Sequence, residues 1–266
     1  MLTQQALIES FRRIGIQQGK PIVVHSSLRS LGPVDGGADT VLDALLAYLG
    51  KDGLLIMPTF TYDNPGFDPD KSKSLTGALT EVFRKRSPSV RSLHPTHSVA
   101  ASGKEAARIC EGHHQVPGLG IDSPLDRAAK EGGGVLLIGV GHTSNSTIHV
   151  GESYARLPFL HVPFTPNWPN PIQIAGQGRG QLEVYLDEHP GCSRAFGTVE
   201  APLRQRGSIK DGLIGKALAQ WMPGQAVIDV TLDLLQKDKN ALLCTDSNCY
   251  RCSRSRAILH QEKKKN

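Results

Sequence analysis

Apolar residues recur at helical spacing at Leu7, Ile8, Phe11 and Ile14, and the stretch from Gly15 to Gly19 predicts where that helix stops. Pro21 to His25 is β-branched and follows a Gly-Lys-Pro turn, which predicts a short buried strand. From Asp39 the apolar positions Val41, Leu42, Leu45, Leu46 and Leu49 define a second helix, capped by Asp39 and stopped at Gly50. Leu54 to Pro58 is again a buried strand. A strand, helix, strand unit of this kind argues for an α/β sheet with parallel pairs.

The theme repeats downstream. Val82 to Arg86 closes a helix, Ser98 to Ala101 predicts a strand, Ala106 to Cys110 a helix, and residues 111–124 a loop rich in Gly, His and Pro. Val135 to Val140 is the most strand-like run in the chain, and it gives way at Gly141 to the polar segment His142 to His149. Pro158 to Pro171 reads as irregular or edge-like, because proline cannot donate to a ladder. Leu182 to Leu186 alternates as a half-buried strand, and two helices are expected around Ile214 to Trp221 and Val227 to Leu235. No internal repeat or long linker appears, so residues 1–266 are expected to form a single domain.

Composition narrows the class. With 39% hydrophobic residues over 266 positions the chain can bury a core, and no apolar run of about 18 residues predicts a membrane span. The first residues, MLTQQALIESFRRIG, lack the apolar stretch of a signal peptide, and the expectation is a soluble cytoplasmic protein. The net charge of +5 is spread over 30 basic and 25 acidic residues. Basic runs at Arg84 to Arg86 and Lys263 to Lys265 read as solvated surface rather than a nucleic-acid footprint; a modest positive potential suits an anionic small ligand. Five cysteines, an odd number, argue against a disulfide framework.

Two polar loops follow predicted strands, where open α/β sheets bind ligands. His25-Ser26-Ser27-Leu28-Arg29-Ser30, followed by Gly36-Gly37 before a helix, offers hydroxyls, a guanidinium and N–H groups suited to phosphate oxygens. A serine-capped polar loop is the equally available reading. The loop from Gly139 to Glu152 carries His142, His149 and Glu152, and the spacing of the last two puts them on one face if that segment is helical.

The strings VVHSSLRSLGPVDGGADTVLDALLAYLG, LLIMPTFTYDNPGFDP, RSLHPTHSVAASG and LLIGVGHTSNSTIHVGE, in this order, resemble the aminoglycoside 3-N-acetyltransferase family. The similarity continues weakly through GLIGKALAQ and covers nearly the whole chain. It implies an α/β fold of three layers, α/β/α, with a central mixed sheet and a smaller C-terminal substrate-side subdomain, to which residues 155–266 contribute. It also implies direct acetyl transfer from acetyl-CoA to the 3-amino group of an aminoglycoside or similar polyamine. By this resemblance His25, Ser26, Ser27, Leu28, Arg29 and Ser30, with Val34, Gly36 and Gly37, hold the pantetheine and phosphates. The general base falls on His149, within a Thr-x-His-x-x-Glu string. A carboxylate after a later strand orients it, and the nearest match is Glu188, with Asp187 one residue away. Asp63 falls on an acidic contact to aminoglycoside amines, a role in which Asp68, Asp187 and Glu188 are further candidates, although Asp63 and Asp68 lie in a segment dense in turn formers. The chemistry also needs oxyanion donors, for which the Thr147 hydroxyl or an N–H near Gly141 are available. His94 and His97 match a family motif only in part and read as packing around the site as readily as part of it.

Cys244, Cys249 and Cys252 have spacings compatible with zinc, with Cys192 as the fourth thiolate and His189 as a substitute; some relatives resemble this arrangement. A closed structural zinc site that staples the C-terminus, with Cys110 left outside, is expected; four independent buried thiols are the plain alternative. Rival functions are acetylation of a biosynthetic amine, a zinc hydrolase built on His25, His142, His149 and Glu152, and a zinc-binding nucleic-acid module. The oligomeric state is not legible.

Overall fold

The computed structural model describes residues 1–62, 66–163, 170–175 and 182–265. In chain order the elements are α1 (Gln4–Ile14), β1 (Pro21–Ser26), α2 (Gly37–Leu49), β2 (Leu54–Pro58), β3 (Gly66–Phe67), α3 (Ala78–Lys85), β4 (Val90–Arg91), β5 (Val99–Gly103) and α4 (Ala106–Cys110). They continue as α5 (Pro124–Lys130), β6 (Gly134–Ile138), α6 (Thr147–Tyr154), β7 (Ile172–Ile174), β8 (Leu182–Val184), α7 (Glu200–Gln205), β9 (Lys210–Ile214), β10 (Ala217–Pro223), α8 (Gly224–Lys237) and α9 (Tyr250–Lys265).

Seven strands form one mixed sheet in the order β4-β5-β2-β1-β6-β10-β9. Its centre is parallel, with β1 between β2 and β6, and antiparallel strands close both wings. Alternation along the central strands sorts side chains into two layers. Ile22, Val24, Leu136 and Ile138 face Leu7 and Phe11 of α1 and Leu42 and Leu45 of α2. Val135 and Leu137 pack instead on Ile148 of α6 and Val227 and Val230 of α8, while Val23 and Ile56 meet Leu125 and Ala128 of α5. Both sheet faces are thus covered, which is why the central strands read as continuous apolar runs. A second, three-stranded sheet, β3-β7-β8, closes its own small cluster around Phe67, Ile172, Ile174 and Val184. No helix among the described residues is long and apolar enough to cross a membrane.

One expected element is corrected. Ile214 to Trp221 is not a helix but the turn and second strand of a hairpin, in which Ile214 pairs with Ala217 across Gly215-Lys216. Gly215 sits at φ 58°, the conformation that glycine supplies at the first position of a tight hairpin turn. Ala217, Ala219 and Trp221 are buried while Leu218 is exposed, so the governing period is two. The strand expected over Leu182 to Leu186 stops at Val184 and joins the small sheet; of the Pro158 to Pro171 stretch, 164–169 lie outside the described residues.

Gly134 on β6 lies under the Trp221 indole of β10, where a Cβ would run into the ring. Gly134→Ala is therefore expected to destabilise the protein by about 1–3 kcal/mol through overpacking, read as a lowered urea midpoint. An unchanged midpoint would contradict this account of the contact.

Candidate active site

A cleft of about 880 Å³ opens at the C-terminal ends of the parallel strands and the start of β5, and its walls include His25, Ser26, His97, His149, Glu188 and Phe196. It lies at β1, where the chain order reverses between β2 on one side and β6 on the other, the position at which open α/β sheets place ligands.

His149 is delivered by α6, a helix of eight residues buried on nearly every side. Gly151 allows that burial, since a Cβ there would strike Thr231 of α8. At the helix start Asn145 Oδ1 accepts from the Thr147 amide at 3.2 Å, and His25 Nε2 accepts from the Ser146 amide at 3.4 Å. His25 can accept only as the neutral imidazole, and full burial pushes its pKa down to about 3. The imidazole of His149 is held edge-on by Phe196, with centroids 4.7 Å apart, and its Nδ1 lies 2.6 Å from Glu152 Oε2. A carboxylate there accepts a hydrogen bond from Nδ1–H, keeping the proton on Nδ1 and leaving the lone pair on Nε2, which no described residue engages. The pair thus places an imidazole of fixed tautomer in the cleft wall, an arrangement able to accept a proton at Nε2.

Glu188, expected as the partner of His149, is held elsewhere. Its Oε1 accepts from Ser153 Oγ at 2.9 Å, and burial raises its pKa. Glu152, one helical turn beyond His149, occupies the expected position because an i,i+3 pair on a buried helix needs no second element to bring it close. Glu188 still lines the cleft as an acidic group. Asp187 does not; it is exposed, 3.6 Å from His161 Nδ1. Asp63 lies outside the described residues, and Asp68 organises its own turn by accepting from the Asp70 and Lys71 amides. Thr147 is placed differently from its expected role: its Oγ1 is buried, lacks a partner among the described residues and lies outside the cleft lining.

Of the expected anion loop, His25 and Ser26 stand in the cleft wall, whereas Ser27 to Ser30, Val34, Gly36 and Gly37 lie outside its lining. Ser26 Oγ is buried and lacks a hydrogen-bond partner among the described residues. Ser27 donates its amide to Ile138 O, and Ser30 Oγ donates to Ser27 O at 2.6 Å. Gly139 must be glycine, since its φ is 63° and a Cβ would enter the Ser30 side chain. Leu28 to Leu31 form a short 3₁₀ turn; Arg29 is exposed and has no ion-pair partner among the described residues. Val34 bridges to Leu2, and Gly36 and Gly37, at φ 74° and 63°, open the 13-residue helix α2 without a side-chain cap. The Gly37 amide donates to Val34 O at 3.2 Å; the start of an uncapped helix and a serine hydroxyl without a partner among the described residues suit an anionic ligand.

Residues that could form a hydrolytic metal centre do not converge. His25 and His149 use one nitrogen each as described, and Asn145 Nδ2 contacts His142 Nδ1 at 3.4 Å. The group among the described residues with metal-ligand geometry is the cysteine set: the sulfurs of Cys192, Cys244, Cys249 and Cys252 all lie within 4.8 Å of one another. Cys192 and Cys249 also line the cleft. Sequence reasoning leaves His97 undecided; it stands in the cleft wall, its ring 4.9 Å from Phe60 and 5.8 Å from Tyr62.

Burial holds four histidines neutral. His113 is pushed down to about 3, and His94 and His97 well below 6.5, by desolvation first and neighbouring imidazoles second for the latter two. Their folded values, like that of His25, lie below the unfolded value, so the unfolded chain binds these protons first. The stability they contribute is complete above about pH 6.5 and drains as pH falls toward 3. The urea midpoint is expected to drop between pH 7 and pH 5, and less steeply in His113→Gln; equal slopes would remove His113 as a source.

The sequence profile of the aminoglycoside 3-N-acetyltransferase family matches residues 23–236. An aminoglycoside N(3)-acetyltransferase IV of Salmonella sp. is 31% identical over 235 residues, 87% of each chain. An aminoglycoside N(3)-acetyltransferase III of Salmonella sp. is 33% identical, covering 89% of this chain and 92% of its own. Among solved structures, a His-to-Ala mutant of aminoglycoside acetyltransferase AAC(3)-IVa in complex with a gentamicin superposes with a TM-score of 0.85 at 29% identity, covering 96% of this chain and 97% of the other.

Proposed function

The chain belongs to the aminoglycoside 3-N-acetyltransferase family, and from that premise we propose that it moves the acetyl group of acetyl-CoA to the 3-amino group of an aminoglycoside, with His149 as general base. The observation that carries this reading is the His149–Glu152 pair in the cleft wall. An ammonium cannot attack a thioester; once its first proton has left to water, the amine needs a base to take a second as the C–N bond forms. His149 Nε2 takes it, and Glu152 stabilises the resulting imidazolium through Nδ1–H. The same proton then passes to sulfur as the C–S bond breaks, so the base is regenerated and free CoA leaves.

Ser26 to Ser30 and the amides at the α2 N-terminus, with Arg29, are assigned to the pantetheine and phosphates of acetyl-CoA, on the support of the orphaned Ser26 hydroxyl and the uncapped helix. Glu188 is assigned to an acceptor amine, since burial sharpens its preference for a cationic neighbour. Leu186, Glu188 to Arg194 and Asn248 to Arg251 also line the cleft, which supports reading residues after 155 as the acceptor side. The solved relative with a bound gentamicin supports an aminoglycoside as the acceptor. Acetylating a drug amine removes one cationic contact, the physical basis of a resistance role.

A thiol-release assay with acetyl-CoA over an aminoglycoside panel tests the reading. His149→Ala is expected to lower kcat by about 10²- to 10⁴-fold with acetyl-CoA binding retained, and Glu152→Gln to lower it in the same direction. Full turnover in His149→Ala would move the base elsewhere; no thiol release by the native chain with any acceptor would remove the activity.

The cysteine set fits a closed zinc site. A tetrahedron with Zn–S bonds of about 2.3 Å requires sulfurs about 3.8 Å apart, and Cys192 and Cys244 stand at 4.0 Å. Such a site leaves no open coordination position, so its part is to staple the C-terminal segment. Metal analysis of the purified protein is expected to find about one zinc per chain, lost in Cys252→Ser; zinc well below one equivalent would refute the site.

A further inference from the structure

His97, between His94 and β5, lines the same cleft as His149. The segment 94–98 is laced to the chain after β2: Thr59 and Thr61 donate their amides to Ser98 O and Thr96 O, and the Thr61 hydroxyl to Pro95 O. The His97 amide donates to His94 Nδ1 at 3.0 Å. Gly118 makes room for both rings, since a Cβ there would come within 2.7 Å of His94 Cε1 and 2.9 Å of His97 Cβ. The Thr96 hydroxyl lies 2.8 Å from His97 Nδ1. His94 Nδ1 is already occupied as an acceptor, so the Thr96 proton is directed to His97 Nδ1, and the ring's own proton sits on Nε2.

His113, nearby, shows what a purely structural imidazole looks like here. Its Nε2 donates to Gly118 O at 2.9 Å and its Nδ1 faces Ser92 Oγ at 2.8 Å, so both nitrogens are satisfied inside the protein. His97 Nε2, by contrast, has no partner among the described residues, although the ring is fixed by Phe60, Tyr62 and Thr96.

We propose that His97 is a specificity-determining contact for the acceptor, donating Nε2–H to an oxygen of the aminoglycoside beside the reacting amine and disfavouring an ammonium at that position. This rests on the aminoglycoside reading above. A ring kept neutral by its burial adds no charge repulsion toward a polycationic sugar, yet its N–H points a hydrogen at whatever approaches. A hydroxyl or ether oxygen accepts that hydrogen; an ammonium, which only donates, cannot. A rigid donor in a desolvated wall discriminates in this way because an unmatched group leaves both partners unpaired.

The test compares gentamicin binding by titration calorimetry to the native protein, His97→Phe, His97→Met and His97→Gln, each with CoA bound. Phenylalanine keeps the aromatic packing and methionine the length, whereas glutamine restores an N–H near the Nε2 position. The expected result is about a tenfold loss of gentamicin affinity in the Phe and Met variants, substantial recovery in Gln, and unchanged CoA affinity and Tm. Either apolar variant alone suffices if the other does not fold. Native affinity in an apolar variant, a Gln variant as weak as Met, or an equal loss of CoA affinity each overturns the assignment. A native protein that binds no gentamicin overturns the aminoglycoside reading itself, and this one with it.

Discussion

The contact between His149 Nδ1 and Glu152 Oε2 is the interaction on which the site depends. Both groups come from one turn, so the pair exists only if Thr147 to Tyr154 is helical, and an eight-residue helix has little stability of its own. Tertiary packing supplies it: Gly151 against Thr231, Ile148 in the core beneath β6, and His25 and Asn145 holding the amides of the entry turn. The sheet contributes through a buried strand end, where His25 accepts a hydrogen bond from the Ser146 amide.

A common constraint governs the histidines around this helix. An uncharged imidazole has one proton for two nitrogens, and in a desolvated setting each nitrogen left without a partner is costly. His113 resolves this internally, His25 spends one nitrogen on Ser146, and His149 spends one on Glu152. What sets His149 and His97 apart from His113 is that they line the cleft with one nitrogen lacking a partner among the described residues. Position in the sequence does not reveal it, since His94, His97 and His113 look alike as letters.

The parallel centre of the sheet is legible in the sequence because both its faces are buried and its strands read as unbroken apolar runs, and the His149–Glu152 spacing is legible as an i,i+3 pair. The hairpin at Ile214 to Trp221 is not: Leu213, Ile214, Ala217, Leu218 and Trp221 match a helical spacing, and only the positive φ of Gly215 and the burial of alternate residues distinguish the strand. Glu188 gives way to Glu152 because a carboxylate one turn away on the same helix is a shorter route than one from another segment. Three cysteines announce themselves by spacing within nine residues, from Cys244 to Cys252, but the approach of Cys192 is a tertiary fact.

That approach has a further consequence. Cys192 and Cys249 belong both to the thiol cluster and to the cleft wall, and the residues beside them, Ser193, Arg194, Asn248, Tyr250 and Arg251, line the same wall. The segments bearing them meet at the sulfurs and contribute no strand to either sheet. Substitutions among these neighbours can reshape one side of the cleft without touching α6, the central strands or the glycine-opened helix that follows β1. The fold thereby puts the His149–Glu152 pair and this side of the cleft on different stretches of chain.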